Sequence, residues 1–241
     1  MTKSEFTAFL IKNFTDNNLG DYITQEKANK LYELSNLLIE TNKEYNLTAI
    51  TDEKSIILKH FADSATITKY IPQNSTVIDI GCGAGFPSLP LAILRRDLSI
   101  TSIDSTGKKI NFVNSAANEL ILDNIEGICT RAEDFVKNKR ESFDVCTSRA
   151  VASLEILDEL CLPFVKTDGA FIAMKSSKGS EEYAKASNGI TKLGGKLENV
   201  EKISLLSEDI SIERELYIIR KISKTPIQYP RNYSQITKKP L

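Results

Sequence analysis

The sequence lacks the features that mark several large protein classes. It contains no run of 18 apolar residues, so it predicts no membrane-spanning helix. Its first residues include no apolar signal-peptide core with a cleavage site, and we expect a cytoplasmic protein. No two cysteines are spaced as C-x-x-C, which argues against zinc or any other metal centre. The cysteines are Cys82, Cys129, Cys146 and Cys161, and we expect free, buried thiols.

Histidine occurs once, and the net charge is close to zero. A serine- or cysteine-hydrolase triad would depend on His60 alone, and no nucleophile-elbow motif lies near it. We therefore expect a core or interfacial histidine. The formal net charge of −1 argues against a general nucleic-acid-binding protein. A length of 241 residues suits one α/β domain with an extension.

What the sequence does contain is a glycine-rich motif after a short apolar stretch. Residues 76–85 read T-V-I-D-I-G-C-G-A-G, and the start of this run predicts a buried strand. The glycines are Gly81, Gly83 and Gly85. They let backbone N–H groups approach a ligand that any Cβ would keep away. The dinucleotide fingerprint is not matched, because Phe86 stands at its third glycine. G-x-G-x-G is typical of S-adenosylmethionine (AdoMet) methyltransferases; a tight turn without a ligand is the alternative.

A second strand, predicted at residues 98–103, ends at Asp104. A carboxylate about 20 residues past the glycines suits hydrogen bonding to both ribose hydroxyls, although alone it could be a surface charge. Further strands are predicted at 125–130, 143–147, 170–175, 197–206 and 213–221. Their alternation with helices predicts right-handed βαβ units and a parallel sheet, with the last two strands antiparallel. Asp104, Glu133 and Arg149 should then lie at the carboxyl edge of the sheet, where ligands bind.

The chain is predicted to divide near the turn-like residues 70–75. Residues 1–70 form an N-terminal helical extension, in which Thr24 is the expected N-cap of a leucine-faced helix. Residues 71–241 form the ligand-binding domain and end in a basic C-terminal tail.

From residue 220 onward the sequence has six basic residues and no acidic one. Basic residues interleaved with tyrosines can pair with phosphates and stack on bases, whereas a solvated tail is the alternative. The candidate RNA contacts are Lys175, Tyr229, Arg231, Tyr233, Lys238 and Lys239. We expect removal of residues 224–241 to impair RNA methylation and spare AdoMet binding, unless the tail packs against the sheet.

Five stretches together closely resemble the ribosomal RNA small subunit methyltransferase G family, also called glucose-inhibited division protein B. They are Y-N-L-T-A-I at 45–50, H-F-A-D-S at 60–64, G-C-G-A-G-F-P at 81–87, D-S with K-K-I at 104–110, and S-R-A-V-A at 148–152. The tail, with Y-P-R at 229–231 and K-P-L at 239–241, is similar too. Dispersed matches of this kind are far more specific than one motif.

The resemblance implies an α/β, Rossmann-like AdoMet-dependent methyltransferase fold, with a mostly parallel seven-stranded sheet whose last strand is antiparallel. It implies methylation of guanine N7 in 16S ribosomal RNA near the decoding site, on naked RNA or an assembling small subunit. In that family AdoMet is contacted at positions matching Gly81, Phe86, Ala132, Glu133 and Arg149. Gly83, Gly85 and Asp104 complete the predicted cofactor site. The sequence departs from the family's pattern at residues 106–107, at Lys109 and at residues 232–234. These departures bear on the details of RNA contact and leave the cofactor assignment unaffected.

The expected chemistry fits what the sequence lacks. Guanine N7 carries a lone pair and no proton, so methylation needs no general base or covalent intermediate, and alignment can supply on the order of 7–11 kcal/mol. The motif of exocyclic-amine methyltransferases, N/D-P-P-Y/F, is absent after the fourth strand. Cys146 lies inside a predicted strand and is a poor nucleophile for a C5-pyrimidine enzyme. No catalytic residue is assigned; Arg149 is the best candidate for positioning, with a plain salt bridge as the alternative.

Overall fold

The computed structural model describes residues 1–149, 152–176, 179–208 and 210–241, and seven strands form one sheet in these ranges. The strands are β1 Thr76–Ile80, β2 Ser99–Asp104, β3 Ile125–Cys129, β4 Phe143–Arg149, β5 Val165–Lys175, β6 Gly195–Ser207 and β7 Ile210–Lys221. Each lies where the sequence predicts a strand, with shifted ends. Arg149 is the last residue of β4 rather than a residue beyond it. Ala150 and Val151, part of the family-like stretch at 148–152, lie outside the described residues.

The strand order is β3-β2-β1-β4-β5-β7-β6. The first five strands are parallel to their neighbours, β7 is antiparallel to β5, and β6 is antiparallel to β7. Among the described strands β7 alone therefore runs against the rest, which confirms the predicted sheet. Its parallel carboxyl ends bring the glycine motif, Asp104, Arg149 and Lys175 to one edge.

Helices cover both faces of the sheet. They are α1 Lys3–Asp16, α2 Gln25–Tyr45, α3 Glu53–Ile56, α4 Asp63–Ala65, α5 Ser88–Leu94, α6 Gly107–Glu119, α7 Ala132–Lys139, α8 Leu154–Cys161, α9 Gly179–Lys192 and α10 Tyr233–Lys238. Along β5, Ile172 and Met174 join one core cluster with α1, α2, α5 and α6, whereas Phe171 and Ala173 join another with α7 to α10. The period of two is that of a strand buried on both faces.

The N-terminal helices share a core with the sheet rather than forming one of their own. The α2 helix begins as expected at Thr24, whose hydroxyl accepts from the N–H of Lys27 at 3.3 Å. A π-helical segment, Ile57–Ala62, connects α3 to α4. Such segments are rare and are frequent at functional sites. Here the π segment presents Lys59 and His60 to the carboxyl edge of the sheet.

The expectation of buried cysteines is correct for three of the four. Cys82, Cys146 and Cys161 are buried free thiols, and burial raises the pKa of Cys82 and Cys161 above that of an ordinary thiol. The expectation is wrong for Cys129, which is exposed. It ends β3, the outermost strand on its side of the sheet, where few side chains can cover it.

Candidate active site

The glycine loop after β1 is held against β2. The N–H groups of Gly81 and Cys82 both donate to the carbonyl of Ile103, at 2.8 and 3.1 Å. Gly83 has φ +58°, and a Cβ built there meets no atom within 4 Å. A Cβ at Gly85 would instead lie 2.5 Å from the Leu89 side chain. Gly85 therefore allows close packing of α5, whereas Gly83 leaves open space for a ligand.

Asp104 fixes the other side of this loop. Its carboxylate accepts from the N–H groups of Gly83 at 3.1 Å and Thr106 at 2.8 Å, and Lys109 Nζ lies 3.7 Å away. The carboxylate is 9% exposed and borders the cavity, so it is oriented before any ligand binds. This is the position expected of a group that accepts from ribose hydroxyls.

A cavity of about 650 Å³ opens at the carboxyl edge of the sheet. Its volume is typical of a site for a small molecule or cofactor. Six of the predicted site residues line it: Gly81, Gly83, Phe86, Asp104, Arg149 and Lys175. Ala132 and Glu133 begin α7 beyond β3 and do not line the cavity. Gly85 does not line it either, because it faces the side chain of Leu89 in α5. The six residues thus lie at the carboxyl ends of β1, β2, β4 and β5, and their roles in binding remain predictions.

Arg149 is held by the π segment and by α4. Its Nη1 donates to Asp63 Oδ2 at 2.8 Å and to the carbonyl of Lys59 at 2.9 Å. Asp63 is 1% exposed and also accepts from Arg214 Nε at 2.9 Å. Two arginines from different strands therefore share one buried carboxylate, and Arg149 has more contacts than a single salt bridge.

His60 is buried as expected, but it belongs to the site. Its ring stacks on Phe86 with centroids 4.2 Å apart and planes 8° apart. Burial, reinforced by the Arg149 charge, lowers the pKa of His60 to about 3, so the ring is neutral near pH 7. Since Arg149 Nη2 lies 3.0 Å from Nδ1, that nitrogen must accept. The proton is then on Nε2, which donates to Thr48 Oγ1 at 3.1 Å.

Asp63, Thr48 and Arg214 were not singled out from the sequence as site residues. Asp63 and Thr48 lie within the family-like stretches at 60–64 and 45–50, and this resemblance could have identified them as site residues. Arg214 lies in none of them. Its strand, β7, brings it to the cavity because Glu215 pairs with Lys175 at the end of β5.

Beneath the loop lies Asp79, in β1, which is fully buried. Neither of its carboxylate oxygens has a hydrogen-bond partner in the described part of the chain. Burial raises the pKa of Asp79 to about 7, against the opposing influence of Ser88 and of the Arg149 charge. The protonated form therefore persists to near-neutral pH.

We expect Asp79→Asn to become stabilising, relative to the natural protein, as the pH rises. The raised pKa means that Asp79 contributes stability at low pH, which is lost between about pH 4 and pH 7. Asparagine resembles the protonated carboxyl and does not titrate. The difference in unfolding free energy should therefore grow by roughly 1.4 kcal/mol per pH unit in this window. Urea unfolding of both proteins at pH 5 and pH 7 measures it, and an equal difference at both values would contradict the assignment.

The proposed RNA contacts fall into three groups, the third of which, Tyr229 and Arg231, is packed in the fold. Lys175 is 7% exposed, lines the cavity and donates to Glu182 at 2.7 Å and to the carbonyl of Ala152 at 2.6 Å. Tyr233, Lys238 and Lys239 are exposed at α10, outside the cavity lining.

The tail packs on the fold instead of extending from it. Tyr229 is 6% exposed and belongs to the core cluster, so its ring is not available for stacking on a base. Arg231 Nη2 lies 2.6 Å from Glu159, which is 0% exposed. Lys221 is also 0% exposed, with Nζ bonded to the Leu162 carbonyl at 2.7 Å. Three of the six basic residues, Arg220, Lys221 and Arg231, therefore form internal ion pairs, and the tail packs against the fold, which is the exception stated for the deletion of residues 224–241.

Comparison with known proteins identifies the family. The model of the family described as rRNA small subunit methyltransferase G matches residues 27–211. This chain belongs to that family. Among methyltransferase G relatives, the protein named ribosomal RNA small subunit methyltransferase G from Staphylococcus carnosus is 49% identical over 210 residues, covering 85% of this chain and 87% of its own. The protein of the same name from Clostridium perfringens strain SM101 is 43% identical over 227 residues, covering 92% and 94%.

Solved structures of other proteins share the fold of this chain. A SAM-dependent methyltransferase from Aquifex aeolicus has a TM-score of 0.51 and 18% identity, covering 70% of this chain and 93% of its own. Another from Methanosarcina mazei has a TM-score of 0.51 and 16% identity, covering 66% and 98%. At these identities the likeness shows the fold alone. Within the described ranges no helix could cross a membrane, and no group of His, Cys, Asp or Glu is arranged to hold a metal.

Proposed function

We propose that this protein transfers a methyl group from AdoMet to guanine N7 of 16S ribosomal RNA near the decoding site, in the cytoplasm. Membership of the methyltransferase G family supports the reaction. The observation that carries the cofactor assignment is the open space at Gly83 beside the fixed carboxylate of Asp104. A small ligand with a ribose fits that pair of groups, and the cavity is large enough to hold one.

The residues present fit AdoMet. We assign Gly81 and Gly83 to close backbone approach, Asp104 to the ribose hydroxyls, and Phe86 and Arg149 to the wall beyond them. AdoMet, when bound, supplies an electrophilic methyl group on a positively charged sulfur. The glycine loop and Asp104 are already tied together by the Gly83 N–H, so this part of the site needs little ordering on binding.

The described site offers orientation rather than proton transfer. Neutral His60 uses Nδ1 to accept from Arg149 and Nε2 to donate to Thr48, so neither nitrogen is available as a base. Asp63 is occupied by two arginines. Methylation of N7 requires no proton removal at the attacking atom, and the expected contribution of the protein is alignment.

Glu133 is proposed to contribute to the adenosine end of the site. It lies in the first turn of α7, with a 14% exposed side chain 4.0 Å from Arg131, beyond the cavity lining. We expect Glu133→Ala to raise KM for AdoMet several-fold with little change in kcat. If KM and kcat both stay at their natural values, the carboxylate serves only the start of the helix.

The decisive experiment maps N7-methylguanosine in 16S ribosomal RNA from cells with and without the gene. The proposal requires one modification to disappear, and purified protein with AdoMet should restore it. Offering the purified protein naked RNA and small subunits from the deleted strain in parallel identifies the physical substrate. An unchanged methylation map, with AdoMet binding intact, would instead indicate a methyltransferase acting on another substrate.

A further inference from the structure

The charges around the cavity are distributed unevenly. Five cationic side chains line it: Lys59, Lys109, Arg149, Lys175 and Arg214. Three acidic side chains line it: Asp63, Asp104 and Glu182. Asp104 pairs with Lys109, and Glu182 pairs with Lys175. The remaining acid, Asp63, forms ion pairs with both Arg149 and Arg214.

Lys59 has no ion-pair partner among the described residues. It is half-buried on the π segment and lines the cavity. Asp52 forms no ion pair with Lys59, because its carboxylate caps α3 by accepting from the N–H of Ser55 at 2.8 Å. Counted over the described residues, the cavity lining therefore carries two positive charges in excess, and both belong to the group formed by Lys59, Arg149 and Arg214.

Of these cationic side chains, Arg214 lies away from the predicted ribose site. Asp104 ends β2, whereas Arg214 lies on β7, four strands across the sheet. At about 4.8 Å per strand, the two positions are separated by roughly 19 Å. A ligand held by the glycine loop and Asp104 thus leaves the Lys59–Arg214 side for the methyl acceptor.

Arg214 is oriented for an external anion. Its Nε donates to Asp63 and its Nη1 to the carbonyl of Glu213 at 3.1 Å, whereas Nη2 has no hydrogen-bond partner in the described part of the chain. The side chain is 24% exposed. Because Asp63 and the Glu213 carbonyl hold Nε and Nη1, Nη2 is the nitrogen left for an external acceptor at the cavity that Arg214 lines. A guanidinium in a fixed orientation suits the oxygens of a phosphate.

We propose that Lys59 and Arg214 form a subsite for a backbone phosphate of the RNA next to the target guanosine. The proposal rests on the proposed function and deepens it, because it moves the main electrostatic contact from the C-terminal tail to the cavity rim. Phosphate contacts of this kind position the substrate and do not read its sequence.

The test compares Lys59→Gln and Arg214→Gln with Lys196→Gln. In Arg214→Gln the buried Asp63 keeps Arg149 as its partner, so the carboxylate stays compensated. Lys196 is an exposed lysine paired in register with Arg220, at the opposite edge of the sheet. Binding of 16S RNA is measured across a salt series, AdoMet binding by calorimetry, and folding by a thermal melt.

Each of the two subsite variants should lose about 0.7–0.9 from the slope of log K against log salt, which is the loss of one phosphate contact. Between 1 M and 0.1 M salt, a slope change of this size amounts to a loss of RNA affinity of about six-fold at 0.1 M. AdoMet affinity and melting temperature should not change, and Lys196→Gln should match the natural protein.

Three results would overturn the proposal. If the slope of log K against log salt is unchanged in both variants, Lys59 and Arg214 do not form a phosphate subsite. If the slope falls only in a variant with Lys238→Gln and Lys239→Gln, the phosphate contact belongs to the C-terminal tail. A fall in AdoMet affinity with an unchanged RNA slope would assign the pair to the cofactor. All these comparisons presuppose that the natural protein binds and methylates 16S RNA. Failure of that control would contradict the proposed function itself, separately from the subsite.

Discussion

Replacing Gly83 by valine should abolish AdoMet binding while the protein remains folded. The glycine has φ +58°, and its missing Cβ would point into open space rather than into the core. A valine there places a branched side chain where the ligand must approach the backbone. Because no protein atom lies within 4 Å of the added Cβ, the expected cost to the fold is that of the backbone conformation, about 1–2 kcal/mol. Calorimetry should detect no AdoMet binding.

Asn74 supplies a matched control for this strain. It also has φ +58°, is exposed and lies before β1, at the opposite edge of the sheet from the cavity. Asn74→Val therefore imposes a similar backbone cost without filling the site. We expect the two variants to lose similar stability in urea unfolding, and only Gly83→Val to lose AdoMet binding. Natural affinity in a folded Gly83→Val protein would contradict the placement of the cofactor.

The sequence predicts most of the sheet because most of its strands are local apolar segments. The central strands β1, β4 and β5 are marked by buried apolar residues. In contrast, β6 is 13 residues long with mostly exposed or half-buried side chains, and its pairing with β7 fixes its place in the sheet. The glycine motif and Asp104 follow for the same reason, since both lie directly at strand ends. The observed strand ends differ from the predicted ones where the sheet continues past the apolar residues. At the end of β4, for example, Arg149 still pairs with Met174 of β5.

The network behind Arg149 could not be predicted in this way. Asp63 lies 86 residues from Arg149 and 151 from Arg214, and no local pattern relates them. Their meeting depends on the π segment and on β7 joining the sheet next to β5. The same holds for the tail, where composition leaves both an RNA contact and a solvated segment open. Only the folded structure shows that Arg231 forms an ion pair with Glu159, a buried residue of α8.

Replacing Arg231 by methionine should destabilise the protein by about 3–5 kcal/mol, the usual cost of removing one partner of a buried ion pair. Glu159 is 0% exposed and accepts from Arg231 through Nε at 2.9 Å, Nη2 at 2.6 Å and the backbone N–H at 2.7 Å. Methionine keeps only the backbone bond and leaves a buried charge. Urea unfolding measures the loss.

A second change separates the lost pair from lost packing. In the double variant Glu159→Gln with Arg231→Met, the buried charge is gone, and much of the stability should return. Lys239→Met removes an exposed charge from the same tail and should change stability by less than about 0.5 kcal/mol. Deleting residues 224–241 should accordingly destabilise the whole fold, because it removes Arg231 together with Tyr229 and Thr225. If Arg231→Met unfolds at the same urea concentration as the natural protein, the tail is not held by this pair, and its lysines become the better candidates for RNA contact.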